Sequence, residues 1–176
     1  MKAKMQHTEE SIRRLSRVQY RTYCTLRRLM TALTAGVLLV MGTVCSFGRA
    51  TSLVLIALGC WTMMSLDVPA DRNAKKLIES AKGRMPVSEF DFSEDGITIS
   101  GDGQKSTLKY SDLYSLVCDG EYLYLFRSRY SAYMIPMNAV EGGTGEELKQ
   151  FLSEKAKLPA EKPGSLLRIR IRDLKK

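Results

Sequence analysis

The chain has 176 residues, room for one or two small units, and its 27 Lys and Arg against 19 Asp and Glu give a formal net charge of +8. It contains a single histidine, His7, and its cysteines have no Cys-x-x-Cys spacing, which leaves a zinc site or a histidine-dependent nucleophile without the residues it needs. We interpret the cysteines as small apolar-like thiols; they are Cys24, Cys45, Cys60 and Cys118.

Residues 1–28 form a basic segment with eight Lys and Arg against two Glu, a net charge of +6. Thr8 is suited to cap a helix, and Glu9 and Glu10 favour its first turn. The segment is therefore predicted to be an amphipathic cytoplasmic arm. Two interpretations of its charge stay open: contact with an anionic membrane leaflet, or a role only in setting membrane orientation. Nucleic-acid binding is disfavoured, because the following residues tether the chain to a membrane.

Two uncharged runs follow, Leu29–Phe47 with 19 residues and Ala50–Leu66 with 17. As helices they would be roughly 25–29 Å long, close to the hydrocarbon thickness of a bilayer. A buried helix of a soluble protein is disfavoured, because the rest of the chain is too small and polar to cover both runs. A cleaved signal peptide is disfavoured by the long basic segment ahead of the first run. We predict a two-helix transmembrane hairpin over residues 29–68.

The charges that flank the two runs predict the orientation of this hairpin. Residues 71–84 carry a net charge of +3 and residues 1–28 a net charge of +6, whereas the bend contains only Arg49. Basic flanks remain in the cytoplasm. The prediction is a multi-pass protein of the cell membrane with both termini cytoplasmic and Arg49 in a short external bend.

Small residues within the runs indicate close contact between the helices. Ala32 and Gly36 form a small-xxx-small pair, and Ala57 and Gly59 reduce the width of the second helix. Packing inside the hairpin is the expected use, and a homo-oligomer is the alternative. No charged residue lies within either run, which argues against transport by this hairpin alone.

From residue 69 the pattern changes to that of a soluble domain. Residues 69–85 are predicted as a basic linker helix, and residues 86–158 as antiparallel strands closed by one helix. Asp119-Gly120 between two alternating runs predicts a two-residue hairpin turn. Thr144 with Glu147 three residues later is a capping box, and the helix that it begins has Leu148 on an apolar face together with Phe151 and Leu152.

Several local patterns in this domain resemble sites but do not support one. Asp91–Gly96 resembles the start of a calcium loop, yet the position of its twelfth-residue acid, Asp102, follows a predicted strand rather than a helix. The many tyrosines suit strands, and the glycine-rich turns lack the lysine of a phosphate loop. The sequence therefore nominates no catalytic, cofactor-binding or metal-binding residue, no cofactor, and no enzyme activity.

The whole layout, over roughly residues 29–157, resembles the YcxB-like family of bacterial membrane proteins. The resemblance is carried by FDFSEDGITIS, LKYSDLYSLVCDGEYLYLF and AYMIPMNAV…GTGEELKQFLSEK, in that order. It implies an α+β membrane protein in which a transmembrane helical hairpin precedes an antiparallel pleckstrin-homology-like sheet capped by a C-terminal helix. It implies no established activity and no catalytic residue.

The net charge of the domain indicates which kind of partner it can bind. Residues 85–164 have 13 acidic and 8 basic side chains, which favours a protein partner over an anionic lipid for the domain. Residues 159–176 are predicted as a linker and a basic tail. The tail, residues 165–176, has a net charge of +4 and alternates arginine with apolar residues, so it is expected to add an edge strand, to lie against the acidic domain, or to contact the leaflet.

Two function classes follow. The first is a non-enzymatic, membrane-anchored interaction or sensing module with an unknown protein partner. The second is a self-protection or envelope-stress protein acting against a toxin or peptide, and an accessory subunit of a transporter is a further alternative.

Overall fold

The protein is an α+β fold, described by a computed structural model over residues 1–44, 48–81, 83, 85–101 and 104–164. The basic tail, Cys45 and Asp102 lie outside the described residues. The α-helices are α1 Glu9–Tyr23, α2 Thr25–Val44, α3 Arg49–Met64, α4 Val68–Ser80 and α5 Gly145–Ala156. The strands are β1 Lys2–Gln6, β2 Val87–Phe92, β3 Ile97–Gly101, β4 Gln104–Leu108, β5 Ser115–Cys118, β6 Tyr122–Phe126, β7 Ala132–Pro136, β8 Val140–Glu141 and β9 Ala160–Glu161.

The chain divides into two compact units. The first, here called the sheet unit, comprises Met1–Leu15 and Ala74–Pro163, and the second, the helix-pair unit, comprises Ser16–Asn73 together with Gly164. The predicted arm at residues 1–28 is thus shared between the two units.

The sheet unit contains a five-stranded and a four-stranded sheet. Their strand orders are β4-β3-β2-β1-β8 and β7-β6-β5-β9, and all neighbours are antiparallel except β5 and β9. The predicted strands between residues 87 and 136 are confirmed to within a few residues. The sequence analysis did not predict β1, β8 or β9, and β9 lies where it predicted only a linker.

Strand β1 precedes the helix pair in the sequence but belongs to the sheet unit. It pairs with β2 from Lys2 opposite Asp91 to Gln6 opposite Val87. Ala3 and Met5 point into the core, whereas Lys4 is exposed, which is the alternation of a half-buried strand. This strand was missed because the short run KAKMQ is rich in lysine and precedes a strong helix signal.

The core of the sheet unit is formed by side chains from both sheets. The ring of Phe90 meets that of Tyr133 edge to face at 6.0 Å between centroids. Four successive residues of β6, Leu123–Phe126, are buried, so both faces of that strand are covered. The buried hydrophobic residues of the strands include Phe92, Ile97, Ile99, Leu108, Leu116, Val117, Met134 and Ile135.

Helix α5 has the predicted cap and the predicted buried face. The Glu147 amide donates to Thr144 Oγ1 at 3.2 Å, and the Thr144 amide donates to Glu147 Oε2 at 2.9 Å. Leu148 and Leu152 are fully buried, and the ring of Phe151 packs edge to face on Tyr110. The capping box and the apolar face are both confirmed.

In the helix-pair unit, α2 and α3 run in opposite directions and pack closely. A Cβ at Gly42 would lie 2.8 Å from Ile56 Cγ1, and a Cβ at Gly59 would lie 2.7 Å from Leu39 Cγ and 3.2 Å from the Ala35 carbonyl oxygen. The contribution of Gly59 is confirmed. The predicted packing of Ala32 and Gly36 inside the hairpin is wrong, because nothing lies within 4 Å of a Cβ placed at Gly36 and the contact runs along Ala35 and Gly42 instead. Ala57 is exposed.

The described residues contain one helix that is long and apolar enough to span a membrane, α2. Helices α3 and α4 meet the same requirement only when joined across their 45° bend, so the described part of the chain offers one candidate span or two. Alone, α3 has 16 residues, about 24 Å of helix.

Candidate interaction site

An ion-pair cluster in the helix-pair unit joins residues next to the two apolar runs. Arg17 binds Asp71 through two hydrogen bonds, Nε to Oδ1 at 2.8 Å and Nη2 to Oδ2 at 3.1 Å. Asp67 lies between two guanidinium groups, since Arg21 donates to its Oδ2 and Arg28 Nη2 is 3.4 Å from its Oδ1. We call these five residues the arginine cluster. Its members come from α1, α2, α4 and the α3–α4 bend.

The Arg28–Asp67 pair is the most buried part of this cluster. The Arg28 side chain is 8% exposed and the Asp67 side chain 25%. Within the described residues, Arg28 Nε and Asp67 Oδ1 are buried without a hydrogen-bond partner. The desolvation cost of such a pair is larger than that of an exposed pair. Removal of either partner leaves the other charge buried without a compensating charge. The pair lies at the ends of the two apolar runs, because Arg28 directly precedes Leu29 and Asp67 directly follows Leu66.

A second charged site lies at the turn between β5 and β6 in the sheet unit. The predicted turn was one residue out of place: Gly120 and Glu121 form its tip, and the Asp119 amide donates to the Tyr122 carbonyl at 3.2 Å. Gly120 adopts a φ of 96°, which glycine accommodates without strain. Asp119 is thereby free to point its side chain back over the turn. We call residues 119–122 the Asp119 turn.

Hydrogen bonds fix the Asp119 carboxylate in place. Its Oδ1 accepts from the amides of Tyr122 at 2.9 Å and Glu121 at 3.2 Å, and its Oδ2 accepts from the Tyr124 hydroxyl at 2.7 Å. The Asp119 side chain is only 13% exposed. The carboxylate is therefore held by the strand pair itself, and one direction around Oδ2 is left for a further donor.

Arg14 of helix α1 fills that direction. Its Nε donates to Asp119 Oδ2 at 3.0 Å and its Nη1 to Glu121 Oε2, and its Cζ lies 4.7 Å from the centre of the Tyr122 ring. The guanidinium is thus bound by two carboxylates and an aromatic face, the partners that suit its planar shape and delocalised charge. Sequence reasoning missed this contact because Arg14 and Asp119 are 105 positions apart.

The protonation states of this site follow from its contacts. Burial alone would raise the pKa of Asp119, but the hydrogen bonds from Tyr124, Tyr122 and Glu121, together with the charge of Arg14, lower it below its ordinary value. Burial and the neighbouring carboxylate raise the pKa of the Tyr124 hydroxyl. At neutral pH the turn therefore presents an ionised Asp119 and a neutral, hydrogen-donating Tyr124.

The other patterns singled out in the sequence are not brought together into a site. Within the described residues, no group of three His, Cys, Asp or Glu could hold a metal ion. Cys24, Cys60 and Cys118 are free thiols, and the Cys118 Sγ lies 3.4 Å from the Met137 Sδ. In the loop after β2, Ser93 Oγ donates to the Gly96 carbonyl at 2.8 Å, which makes this segment a tight turn.

A family comparison covers the region that contains the Asp119 turn. The model of the YcxB-like protein family matches residues 92–153, from the end of β2 into α5. Comparison with curated proteins and with solved structures gave no match. The resemblance to the YcxB-like family is thereby confirmed over residues 92–153.

Proposed function

We propose that this protein is a non-enzymatic, membrane-anchored interaction or sensing module of the YcxB-like type. In this proposal α2 and α3 form a transmembrane hairpin, both termini are cytoplasmic, and the sheet unit is a pleckstrin-homology-like domain that binds a protein partner. The carrying observation is the pairing of β1 with β2 across the intervening helix pair.

That pairing restricts the membrane topology. β1 precedes the helix pair and β2 follows it, yet both belong to one sheet and so lie on one side of any membrane. The intervening chain must then cross the bilayer an even number of times. With α2 as a candidate span, an odd count would leave β1 and β2 on opposite sides. Two crossings, through α2 and α3, satisfy the requirement.

The surface of the helix pair supports immersion in lipid. Many of its exposed side chains are large and apolar, which is unfavourable in water but suits a hydrocarbon environment. These include Leu33, Val37, Val40 and Val44 of α2, and Leu53, Val54, Trp61 and Met64 of α3. Helix α3 is short for a span, a mismatch that bilayer thinning and interfacial residues such as Trp61 accommodate at modest cost.

Fewer basic residues of the arm are available for contact with the leaflet than the sequence suggests, because several already bind carboxylates of the same chain. Arg14, Arg17, Arg21 and Arg28 are engaged by carboxylates. Arg27, in the first turn of α2, is exposed and has no carboxylate partner among the described residues. We therefore assign the anionic-leaflet contact of the arm to Arg27, with the basic tail as the second contributor.

The sheet unit supports binding rather than catalysis. Two sheets closed by a capped C-terminal helix are the architecture that a pleckstrin-homology-like domain requires. Residues 85–164 have a net charge of −5, which disfavours an anionic ligand for that part of the sheet unit, whereas residues 1–15 and 74–84 bring the charge of the whole unit to zero. The most elaborated polar arrangement in it, the Asp119 turn, binds a guanidinium group and contains no nucleophile paired with a base.

The topology is tested by labelling single cysteines in intact cells with an impermeant maleimide. In chains that keep one cysteine at a time, with the other native cysteines replaced by alanine, a cysteine at Arg49 should react from outside, whereas Cys118 and a cysteine placed at Gln6 in β1 should react only after lysis. External labelling at position 6 or 118 would overturn the orientation, and failure of position 49 to react would overturn the hairpin.

The interaction role is tested by cross-linking the full chain in native membranes and identifying what co-purifies. A partner retained by the full chain and lost by a chain without residues 85–164 supports the module. Capture by the helix pair alone would contradict the proposal, and a toxin or transporter as the specific partner would favour self-protection or an accessory transport role instead.

A further inference from the structure

The Asp119 turn has the features of a recognition site rather than of an incidental ion pair. A surface pair usually joins one cation to one carboxylate and contributes little. Here one guanidinium meets Asp119, Glu121 and the face of Tyr122 together. A lysine ammonium lacks the planar fork to meet two carboxylates and an aromatic face at once.

The receiving side of this contact is built without Arg14. The Asp119 carboxylate is positioned by the Tyr124 hydroxyl and by two backbone amides of the turn, all within residues 119–124. Its Oδ2 would remain aimed outward if the arginine left. A pre-positioned acceptor lowers the entropic cost of binding any guanidinium that arrives.

Arg14 is placed so that a second guanidinium group could replace it at a small cost in free energy. The Arg14 side chain is 36% exposed and that of Glu121 is 69% exposed, so water already reaches part of the site. A second guanidinium that replaced Arg14 would form the same hydrogen bonds to both carboxylates and would lie over the same aromatic ring. The equilibrium between Arg14 and the second guanidinium would then depend on the additional interactions that the incoming segment makes with the protein.

Space for such interactions exists next to the turn. A groove of about 470 Å³ is bordered by the turn residues Gly120, Glu121 and Tyr122 and by Met137 and Glu146. Glu146 adds a carboxylate that is paired with Lys149 but is still 64% exposed, and Met137 offers a polarizable apolar surface. The groove therefore suits the residues that flank an arginine in an extended, basic segment.

We propose that the Asp119 turn is a guanidinium-binding site for an arginine-bearing segment of a partner protein, and that Arg14 occupies it in cis until the partner displaces it. This rests on the proposed function of the sheet unit as an interaction module. It names the chemistry of the partner: arginine rather than lysine, in a segment that the acidic groove also accepts.

The test measures peptide binding by the full chain in nanodiscs of zwitterionic lipid at fixed salt. The probe is acetyl-Gly-Arg-Gly-Arg-Gly-Arg-Gly-amide, and its all-lysine counterpart has the same charge. Arg14→Gln should bind the arginine peptide about tenfold more tightly than the unsubstituted chain does, because the site is vacated. It should also prefer arginine over lysine by about tenfold. Arg14→Gln with Asp119→Asn should lose this binding.

Arg17→Gln is the matched control, since it removes an arginine of the same helix whose partner is Asp71. It should bind the peptide as the unsubstituted chain does. Equal binding by Arg14→Gln and the unsubstituted chain, equal binding of the two peptides, or full binding after Asp119→Asn would each overturn the site. If the peptide fails while a partner is still captured through residues 85–164, only this site is wrong and the module stands.

Discussion

The ion pairs of this protein differ in how much water they exclude. Arg17 and Asp71 are 47% and 35% exposed, whereas Arg28 is 8% exposed and faces Asp67 near the ends of the apolar helices. A carboxylate removed from the exposed pair is replaced by water. A carboxylate removed from the buried pair leaves Arg28 with no compensating charge close by.

We therefore expect Asp67→Asn to lower the stability of the protein by about 2–4 kcal/mol. Asp71→Asn removes the same charge from the exposed pair and should cost about 0.5 kcal/mol. Thermal unfolding in one detergent compares the two variants. Equal losses of stability would show that burial of Arg28 contributes nothing.

Asp119 predicts a dependence of stability on acid. Its pKa is lower in the folded protein than its ordinary value of 3.8, so its stabilising contribution is complete above that value. The contribution is lost as the pH falls through the folded-state pKa. At neutral pH, Asp119→Asn should cost about 2 kcal/mol, and this difference from the unsubstituted protein should shrink below pH 3.8.

Tyr124→Phe provides the control for this pH dependence, since it removes the 2.7 Å hydrogen bond that helps to lower the pKa of Asp119. Without this hydrogen bond the folded-state pKa of Asp119 should lie closer to its ordinary value. The pH interval between these two pKa values, over which the protein loses the stability that Asp119 contributes, should therefore be narrower in this variant. A difference between Asp119→Asn and the unsubstituted protein that stayed constant from neutral pH to about pH 2 would contradict the assignment.

For individual residues, the sequence showed which segments are charged, but it predicted few of the contacts that those charged residues make. The charge excess of the arm was evident, yet its pairing was not, because Arg14 and Arg17 meet carboxylates 105 and 54 positions away. The exception was local: Thr144 and Glu147, three positions apart, were predicted as a pair and form one. Only contacts fixed by helix or turn periodicity can be read from a single chain.

At the scale of elements, the glycines of α2 and α3 are not equivalent. Gly42 and Gly59 lie where the two helices approach closely, whereas Gly36 lies in open space. Gly42→Leu and Gly59→Leu should each destabilise the helix pair by about 1–3 kcal/mol through overpacking. Gly36→Leu should be neutral or slightly stabilising, because leucine favours the helix and meets nothing.

Thermal unfolding in detergent and the rate of proteolysis within the helix pair would measure these effects. The three variants add the same side chain to helices in one unit, so Gly36→Leu controls for hydrophobicity. If Gly36→Leu were as damaging as Gly59→Leu, the helix contact would have been assigned to the wrong faces.

Element prediction succeeded where periodicity is strong and failed where pairing alone creates the element. The alternation in residues 87–136 and the face of α5 predicted those strands and that helix. By contrast, β8 and β9 have two residues each, too few for any period, and exist because a neighbouring strand edge accepts them. The small-residue motif at Ala32 and Gly36 failed because a motif does not state which helix face meets its partner.

For the whole molecule, the contribution of β1 leads to a prediction about fragments. Residues 85–164 alone lack β1, so β2 would become an edge strand and the core around Phe90 would lose Ala3 and Met5. We expect this fragment to be less stable than the same fragment with residues 1–7 attached through a flexible linker.

Denaturant unfolding of the two soluble fragments measures the difference, expected to be about 2–5 kcal/mol from the loss of two buried side chains and a strand. Attachment of residues 1–7 with Met5→Asp is the control, because it supplies the same length of chain with a charge in the core position. Equal stability of all three fragments would show that β1 is dispensable.

The pairing of β1 with β2 also imposes an order on biosynthesis. Gln6 leaves the ribosome roughly 80 residues before Val87, its partner, an interval of about 4–16 s at usual elongation rates. If the helix pair is a transmembrane hairpin as proposed, both apolar helices are synthesised and inserted during that interval, while β1 has no neighbouring strand to pair with. Under the proposed topology, a chain in which only one of the two helices inserted would leave β1 and β2 on opposite sides of the bilayer and could not complete the sheet. Completion of the sheet therefore acts as a check on insertion, and a failed chain would expose an unfinished sheet edge to proteases.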